Sequence, residues 1–159
     1  YVCAWEKDGK TFVVSLLGCG WPNHKTYKWS DTKKLLSYGS YNYNYETYWQ
    51  EPQTEKILVT DGVEDDQDIG TLIYLRGKCS VTSDDRNKKI LLKKGESVIC
   101  QTEIPPKVSA PVLKGEKLGR IAYYLNGELI DSYPVYAEKS VEKISFKWYV
   151  EKVFHGFFH

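Results

Sequence analysis

APVLKGEKLGRIAYYLNGELIDSYPVYA, residues 110–137, is the stretch whose reading decides the fold. Asn126 and Gly127 stand between two runs rich in Ile, Tyr and Leu, and that dipeptide favours a type I′ turn because both central residues need positive φ. A two-residue loop sets the pairing: Leu125 faces Glu128, Tyr123 faces Ile130 and Ile121 faces Ser132. One face then carries Ile121, Tyr123, Leu125 and Ile130, and this is the face expected to meet a core. The other carries Arg120, Ala122, Tyr124, Leu129, Asp131 and Tyr133, which leaves Arg120 diagonal to Asp131 and expected to pair with it.

Working outward, the chain before this hairpin is β in character from Glu55 on. EKILVTD, TLIYLRGKCSVTS, KKILLKKG and ESVICQTEI read as short strands separated by Asp-Gly, Asp-Asp-Arg-Asn and Lys-Gly-Glu turns. With the hairpin they predict a small antiparallel β-sandwich over residues 56–139, and Pro105 and Pro106 break the chain ahead of its last hairpin. The acidic run at 64–68 is read as a solvated turn, since Gly77 stands at the twelfth place, where a calcium loop carries its bidentate Glu.

Residues 1–18 alternate around Asp8-Gly9, a second I′ signal, with Trp5 opposite Phe12 and Cys3 opposite Val14. A polar loop follows, and then SDTKKLLSYG is expected to form a short helix capped by Ser30 or Asp31 and ended by Gly39. The stretch 40–55 is read as a linker. Its Tyr41, Tyr43 and Tyr45 share a face if it is a strand; the favoured reading is that these rings pack between domains, and with Trp49 they are otherwise candidates for a stacking surface for sugar rings or bases.

At the other end, Phe146, Val150, Val153, Phe154, Phe157 and Phe158 recur at helical spacing, with Lys147, Glu151, Lys152 and His155 elsewhere on the wheel. This predicts a C-terminal amphipathic helix within residues 140–159, whose apolar face either lies in a membrane interface or packs on a partner domain.

The sequence holds 22 Lys and Arg against 21 Asp and Glu, so no global field argues for nucleic acid. No run approaches the ~18 apolar residues that a spanning helix needs. The absence of Met and an opening in mid-strand lead us to expect a fragment or processed product. Cys3, Cys19, Cys79 and Cys100 lack C-x-x-C spacing and are read as small buried hydrophobes, with a Cys79 to Cys100 or Cys3 to Cys19 disulfide as the alternative. No metal site is expected, because His155 and His159 lack a third ligand and His24 lies in a polar loop. No cofactor is expected either.

Several of these segments carry a resemblance. Pro111, Gly115 and Gly119 lead into the hairpin, Pro134, Val135 and Ala137 lead out of it, and Val141 to Phe146 runs into the terminal helix. That run resembles the end of the C-terminal β-domain of the D-alanyl-D-alanine carboxypeptidases, the low-molecular-mass penicillin-binding proteins of the serine-peptidase class. Residues 1–39 resemble the last hairpin and the last helix of that family's catalytic domain, the helix through Trp29, Asp31, Thr32, Lys34, Leu35, Leu36, Tyr38 and Gly39.

The resemblance implies a parent enzyme that trims D-alanine from peptidoglycan stem peptides on the outer face of a bacterial membrane. It implies that this chain is a non-catalytic spacer whose partners are the remainder of the catalytic domain and the membrane surface. It also implies that residues 1–18, lacking their usual cover, either self-associate through the hairpin edge or stay mobile. The rival reading is a cell-wall or glycan-binding module that uses the tyrosines.

The family's chemistry needs S-x-x-K, S-x-N and K-T-G motifs. Ser30 to Lys33 and Ser140 to Lys143 imitate the first, Ser40 to Asn42 the second, and Lys25-Thr26 is followed by Tyr27 where Gly is needed. None falls where the family keeps its site, so no residue of the chain is expected to be catalytic.

Overall fold

The computed structural model describes residues 1–18, 24–64 and 66–157, with side chains described up to residue 154. In chain order its elements are β1 (Val2–Lys7), β2 (Lys10–Ser15), α1 (Tyr27–Asn42), β3 (Tyr43–Thr47), β4 (Ile57–Thr60), β5 (Gly62–Val63), β6 (Ile73–Leu75), β7 (Gly77–Cys79), α2 (Ser83–Arg86), β8 (Lys89–Lys93), β9 (Val98–Glu103), β10 (Lys107–Ser109), β11 (Lys117–Leu125), β12 (Glu128–Ala137), β13 (Glu142–Lys143) and α3 (Phe146–Phe157). They divide into two compact units, Tyr1–Trp49 with Arg86–Ser97, and Gln50–Asp85 with Val98–His159.

In the first unit β1 and β2 form the expected hairpin, with Asp8 at φ 53 and Gly9 at φ 71. Trp5 stands opposite Phe12 and Cys3 opposite Val14, and the Trp5 and Phe12 rings lie 6.0 Å apart. The helix differs from expectation at both ends. It starts at Tyr27 with Thr26 as its N-cap, and it runs through Gly39 to Asn42. Gly39 keeps a negative φ, so it is no C-cap. A Cβ there would stand 2.9 Å from Cε1 of Phe12, so the glycine lets the hairpin's aromatic ring sit against the helix. The end of α1 is instead held from β2, where Lys10 Nζ donates at 3.0 Å each to the carbonyls of Ser40 and Tyr43 and to Asn44 Oδ1. A lysine is well suited to this, because the last carbonyls of a helix are unsatisfied and carry partial negative charge.

Within residues 40–55, Asn42 closes α1 and Tyr43–Thr47 form β3, which pairs antiparallel with β8. The KILLK strand predicted for the sandwich therefore joins the first unit, where Leu92 is buried. Alternating hydrophobicity specifies a strand and its faces, but not which neighbour completes its ladder.

The second unit holds a four-stranded antiparallel sheet in the order β7-β12-β11-β9 and a three-stranded sheet in the order β10-β4-β6. Both feed one core of Ile57, Val59, Ile73, Leu75, Val112, Leu118 and Val141, with Ala110 and Ala137. The pair β10 and β4 is parallel, a departure from the antiparallel expectation, and the long excursion between the two strands is what a parallel pair requires.

The central hairpin turns at Asn126 and Gly127, with φ 52 and 85, and Leu125 faces Glu128 as expected. Beyond that the register slips. Tyr124 faces Leu129 but Tyr123 faces Asp131, so Ile130 is the extra residue of a β-bulge, and Ile121 faces Tyr133 rather than Ser132. The core face is corrected accordingly. Ile121 and Tyr123 are fully buried, Tyr133 joins them, and Leu125 and Ile130 are only half-buried. Arg120 does not pair with Asp131, which instead accepts from the Tyr133 hydroxyl at 2.8 Å. Arg120 donates to Glu103 on β9, the residue opposite it across the ladder.

The buried Tyr123 hydroxyl donates to the Gln50 carbonyl at 2.9 Å. Burial pushes this phenol above its ordinary pKa, and the neighbouring Cys100 thiol adds to the shift. Cys3, Cys79 and Cys100 are half-buried, and Cys79 and Cys100 are not joined by a disulfide. Cys19, Asp65, Phe158 and His159, on which sequence expectations also rested, lie outside the described residues.

Candidate functional site

The second unit ends in α3, and its start is set locally. Ser145 is the N-cap, its Oγ accepting from the backbone N–H of Trp148 at 3.2 Å. The helix therefore begins at Phe146 and not at 140. Residues 140–143 belong to the β-domain: Val141 is buried and bridges Val112 through two backbone hydrogen bonds of 2.9 Å, and β13 pairs with β5.

What α3 turns toward the domain is the side that the sequence reading treated as polar. Trp148 lines a cleft of about 340 Å³ with Ile73, Val63 and the loop between β5 and β6, and its indole N–H is buried without an acceptor. Lys152 Nζ lies 5.7 Å from the Trp148 ring centroid. On the exposed flank, Lys147 and Glu151 form an i,i+4 pair at 3.7 Å.

The apolar face is left open. Phe146 is 84% exposed, Phe154 59% and Val153 45%, while Val150 is half-buried. Tyr149, missed by the sequence reading, lies at the edge of this face and is 41% exposed. Its place at i+3 from Phe146 was the available signal. An amphipathic helix on a soluble domain normally buries its apolar stripe, whereas here the stripe faces outward and the opposite side is seated.

The tyrosines do not form one platform. Tyr41 sits on α1, because the helix runs to Asn42, and only Tyr43 and Tyr45 share a face of β3. Tyr41 is 70% exposed, with Lys94 Nζ 3.3 Å from its ring centroid, and Trp49 carries the Arg86 guanidinium at 5.7 Å.

The catalytic look-alikes are dispersed as well. Ser30 Oγ donates to the Tyr27 carbonyl at 3.1 Å, Ser140 Oγ accepts from the Lys114 backbone N–H at 2.9 Å, and the Asn42 side chain donates to the Tyr38 carbonyl at 2.9 Å. Lys25 and Thr26 form the turn ahead of α1. His24 stacks on Tyr27 with ring centroids 4.4 Å apart. Among the described residues, no group of three His, Cys, Asp or Glu side chains is placed to hold a metal, and no helix is long and apolar enough to cross a membrane.

Comparison with known proteins gives one family match and a set of distant structures. Three of the latter are the D-alanyl-D-alanine carboxypeptidase DacD from Francisella tularensis, with 20% identity over 90% of this chain and 33% of that one and a TM-score of 0.45; penicillin binding protein 5 from Haemophilus influenzae, with 22% identity over 89% and 38% and a TM-score of 0.37; and a peptidoglycan synthesis regulatory factor, PBP3, from Streptococcus pneumoniae, with 17% identity over 89% and 39% and a TM-score of 0.37. The chain thus spans less than two-fifths of the length of each of these structures. No curated protein matches it. Residues 80–143, the segment that runs from α2 to β13, match the family model described as "Penicillin-binding protein 5, C-terminal domain", and this stretch of the chain is similar to that domain.

Proposed function

We propose that this chain is the non-catalytic, membrane-proximal part of a serine-type D-Ala-D-Ala carboxypeptidase that trims peptidoglycan stem peptides outside the cytoplasm. Its β-domain is a spacer, and the face of Phe146, Tyr149, Val150, Val153 and Phe154 rests on the lipid surface. The observation that carries the reading is the outward orientation of this face on a helix leaving the family domain, with Phe146 84% exposed. Each large apolar group moved out of water contributes about 1.5–3 kcal/mol, so two phenylalanines are enough for reversible interfacial binding. The exposed Val2 and Val13 of the β1–β2 hairpin are the corresponding face for contact with another part of the same protein or a second copy.

Sedimentation with phosphatidylglycerol vesicles tests the anchoring. The chain should pellet with vesicles, and the double variant Phe146→Ser, Phe154→Ser should partition at least tenfold more weakly. Equal binding by the two, or none by either, would assign the face to protein packing instead.

A further inference from the structure

The first unit contains a groove between β1 and α1, of about 600 Å³, that the anchoring role does not use. Its aromatic walls are Trp5, Trp29 and Tyr41, and Lys7 from β1 and Lys33 from α1 line it with them. Trp29 is 58% exposed and Tyr41 70%, although both are large apolar groups, and among the described residues no acidic side chain lines the groove. Each wall ring has a further aromatic or cationic neighbour. Tyr1 packs edge-on against Trp29 at 5.3 Å with Lys28 beside both rings, Lys94 covers one face of Tyr41, and Phe12 supports Trp5. The rings are therefore held in place while part of their surface stays open to solvent, an arrangement suited to stacking.

We propose that this groove binds an acidic glycan, with sugar rings stacked on Trp5, Trp29 and Tyr41 and ring carboxylates paired with Lys7 and Lys33. The C–H faces of a pyranose match the aromatic walls, and two ammonium groups with no opposing carboxylate select a negative ligand. Single-stranded nucleic acid also stacks on aromatics, but it draws its affinity from many phosphate contacts, and the chain has a formal net charge of only +1. The proposal is independent of the anchoring role, since no residue of α3 takes part.

The test follows the indole N–H resonances of the whole chain while hexagalacturonate, neutral chitohexaose or an oligo-dT is added. With hexagalacturonate, the Trp5 and Trp29 signals should shift while that of Trp148 stays still. Affinity should fall at least tenfold in Lys33→Glu and in Trp29→Ala, both at exposed positions, and should be unchanged in Lys114→Glu on the other unit. An equal response to chitohexaose would overturn the acidic selectivity. A stronger response to oligo-dT would make the groove a nucleic-acid site, and no response to any of the three would overturn the proposal. Loss of the groove signals with a doubled mass in light scattering would also overturn it, showing the groove filled by a second copy.

Discussion

Arg120 on β11 donates its Nε–H to Glu103 Oε2 on β9 at 2.6 Å, directly across the ladder, and Tyr124 donates to the other carboxylate oxygen at 2.6 Å. The Arg120 guanidinium, with the Tyr124 hydroxyl, holds the Glu103 carboxyl below its ordinary pKa, and Glu103 in turn holds Arg120 and Tyr124 above theirs. A carboxyl depressed in the folded state contributes stability above its unfolded pKa, and that stability is lost as the pH falls through the folded value. The pair is exposed, so the contribution is small. Urea melts taken from neutral to acid pH should show a shallower acid loss in Glu103→Gln than in the native chain. Identical slopes would mean that the pair is not formed in solution.

Gly39 is predicted to be a packing residue. An alanine there gains up to about 1 kcal/mol of helix propensity but pushes its Cβ into the Phe12 ring, and overpacking of this kind costs about 1–3 kcal/mol. Gly39→Ala should therefore lower stability by about 1 kcal/mol, from the balance of these effects. Adding Phe12→Leu should cost less than the sum of the single changes, because the two sites are in contact. Stabilisation by Gly39→Ala alone would show that the ring has room to move.

Gly119 and Gly127, eight positions apart in sequence, should fail for different reasons. A Cβ on Gly119 collides with the Glu103 carbonyl oxygen, a backbone atom, so Gly119→Ala should cost about 3 kcal/mol or more. Gly127 has open space around it but φ +85, so the cost of Gly127→Val is conformational, on the order of 1–3 kcal/mol. Thermal melts separate the two, since Gly127→Asn should be tolerated at positive φ whereas Gly119→Asn should not. Equal tolerance at both positions would contradict the close approach of the β9 backbone to Gly119.

Much of this was legible because turn chemistry is local. Asp8-Gly9 and Asn126-Gly127 mark their hairpins, and the strand patterns fall where strands form. The misread features depend on distant chain. Nothing near Ile130 announces a bulge, so the register implied by the turn places Arg120 one residue out of step. Gly39 has the spacing of a helix stop, and only the approach of Phe12 gives it another role. KILLK reads as a strand of the β-domain until its partner is seen to be β3. The α3 face was readable from periodicity, but its outward orientation was not, because that depends on Trp148 being seated on the opposite side. Trp5, Trp29 and Tyr41, spread over β1 and α1, come together only in three dimensions.

The chain should form no covalent adduct with penicillin. A serine nucleophile needs a base within hydrogen-bond reach, and Ser30 and Ser140 are engaged with backbone groups instead. Intact mass after incubation should be unchanged. A stoichiometric gain at either serine would place acyl-transfer chemistry in this chain.

The central claim, that the α3 face meets lipid, is tested most directly with fluorine labels. The chain has five phenylalanines, of which Phe12 lies in the first unit and the other four lie at 146–158. In chain carrying 4-fluorophenylalanine, bicelles containing a nitroxide-labelled lipid should broaden the Phe146 and Phe154 resonances strongly and leave that of Phe12 sharp. Equal broadening of all signals, or sharp lines at Phe146 and Phe154, would contradict the account.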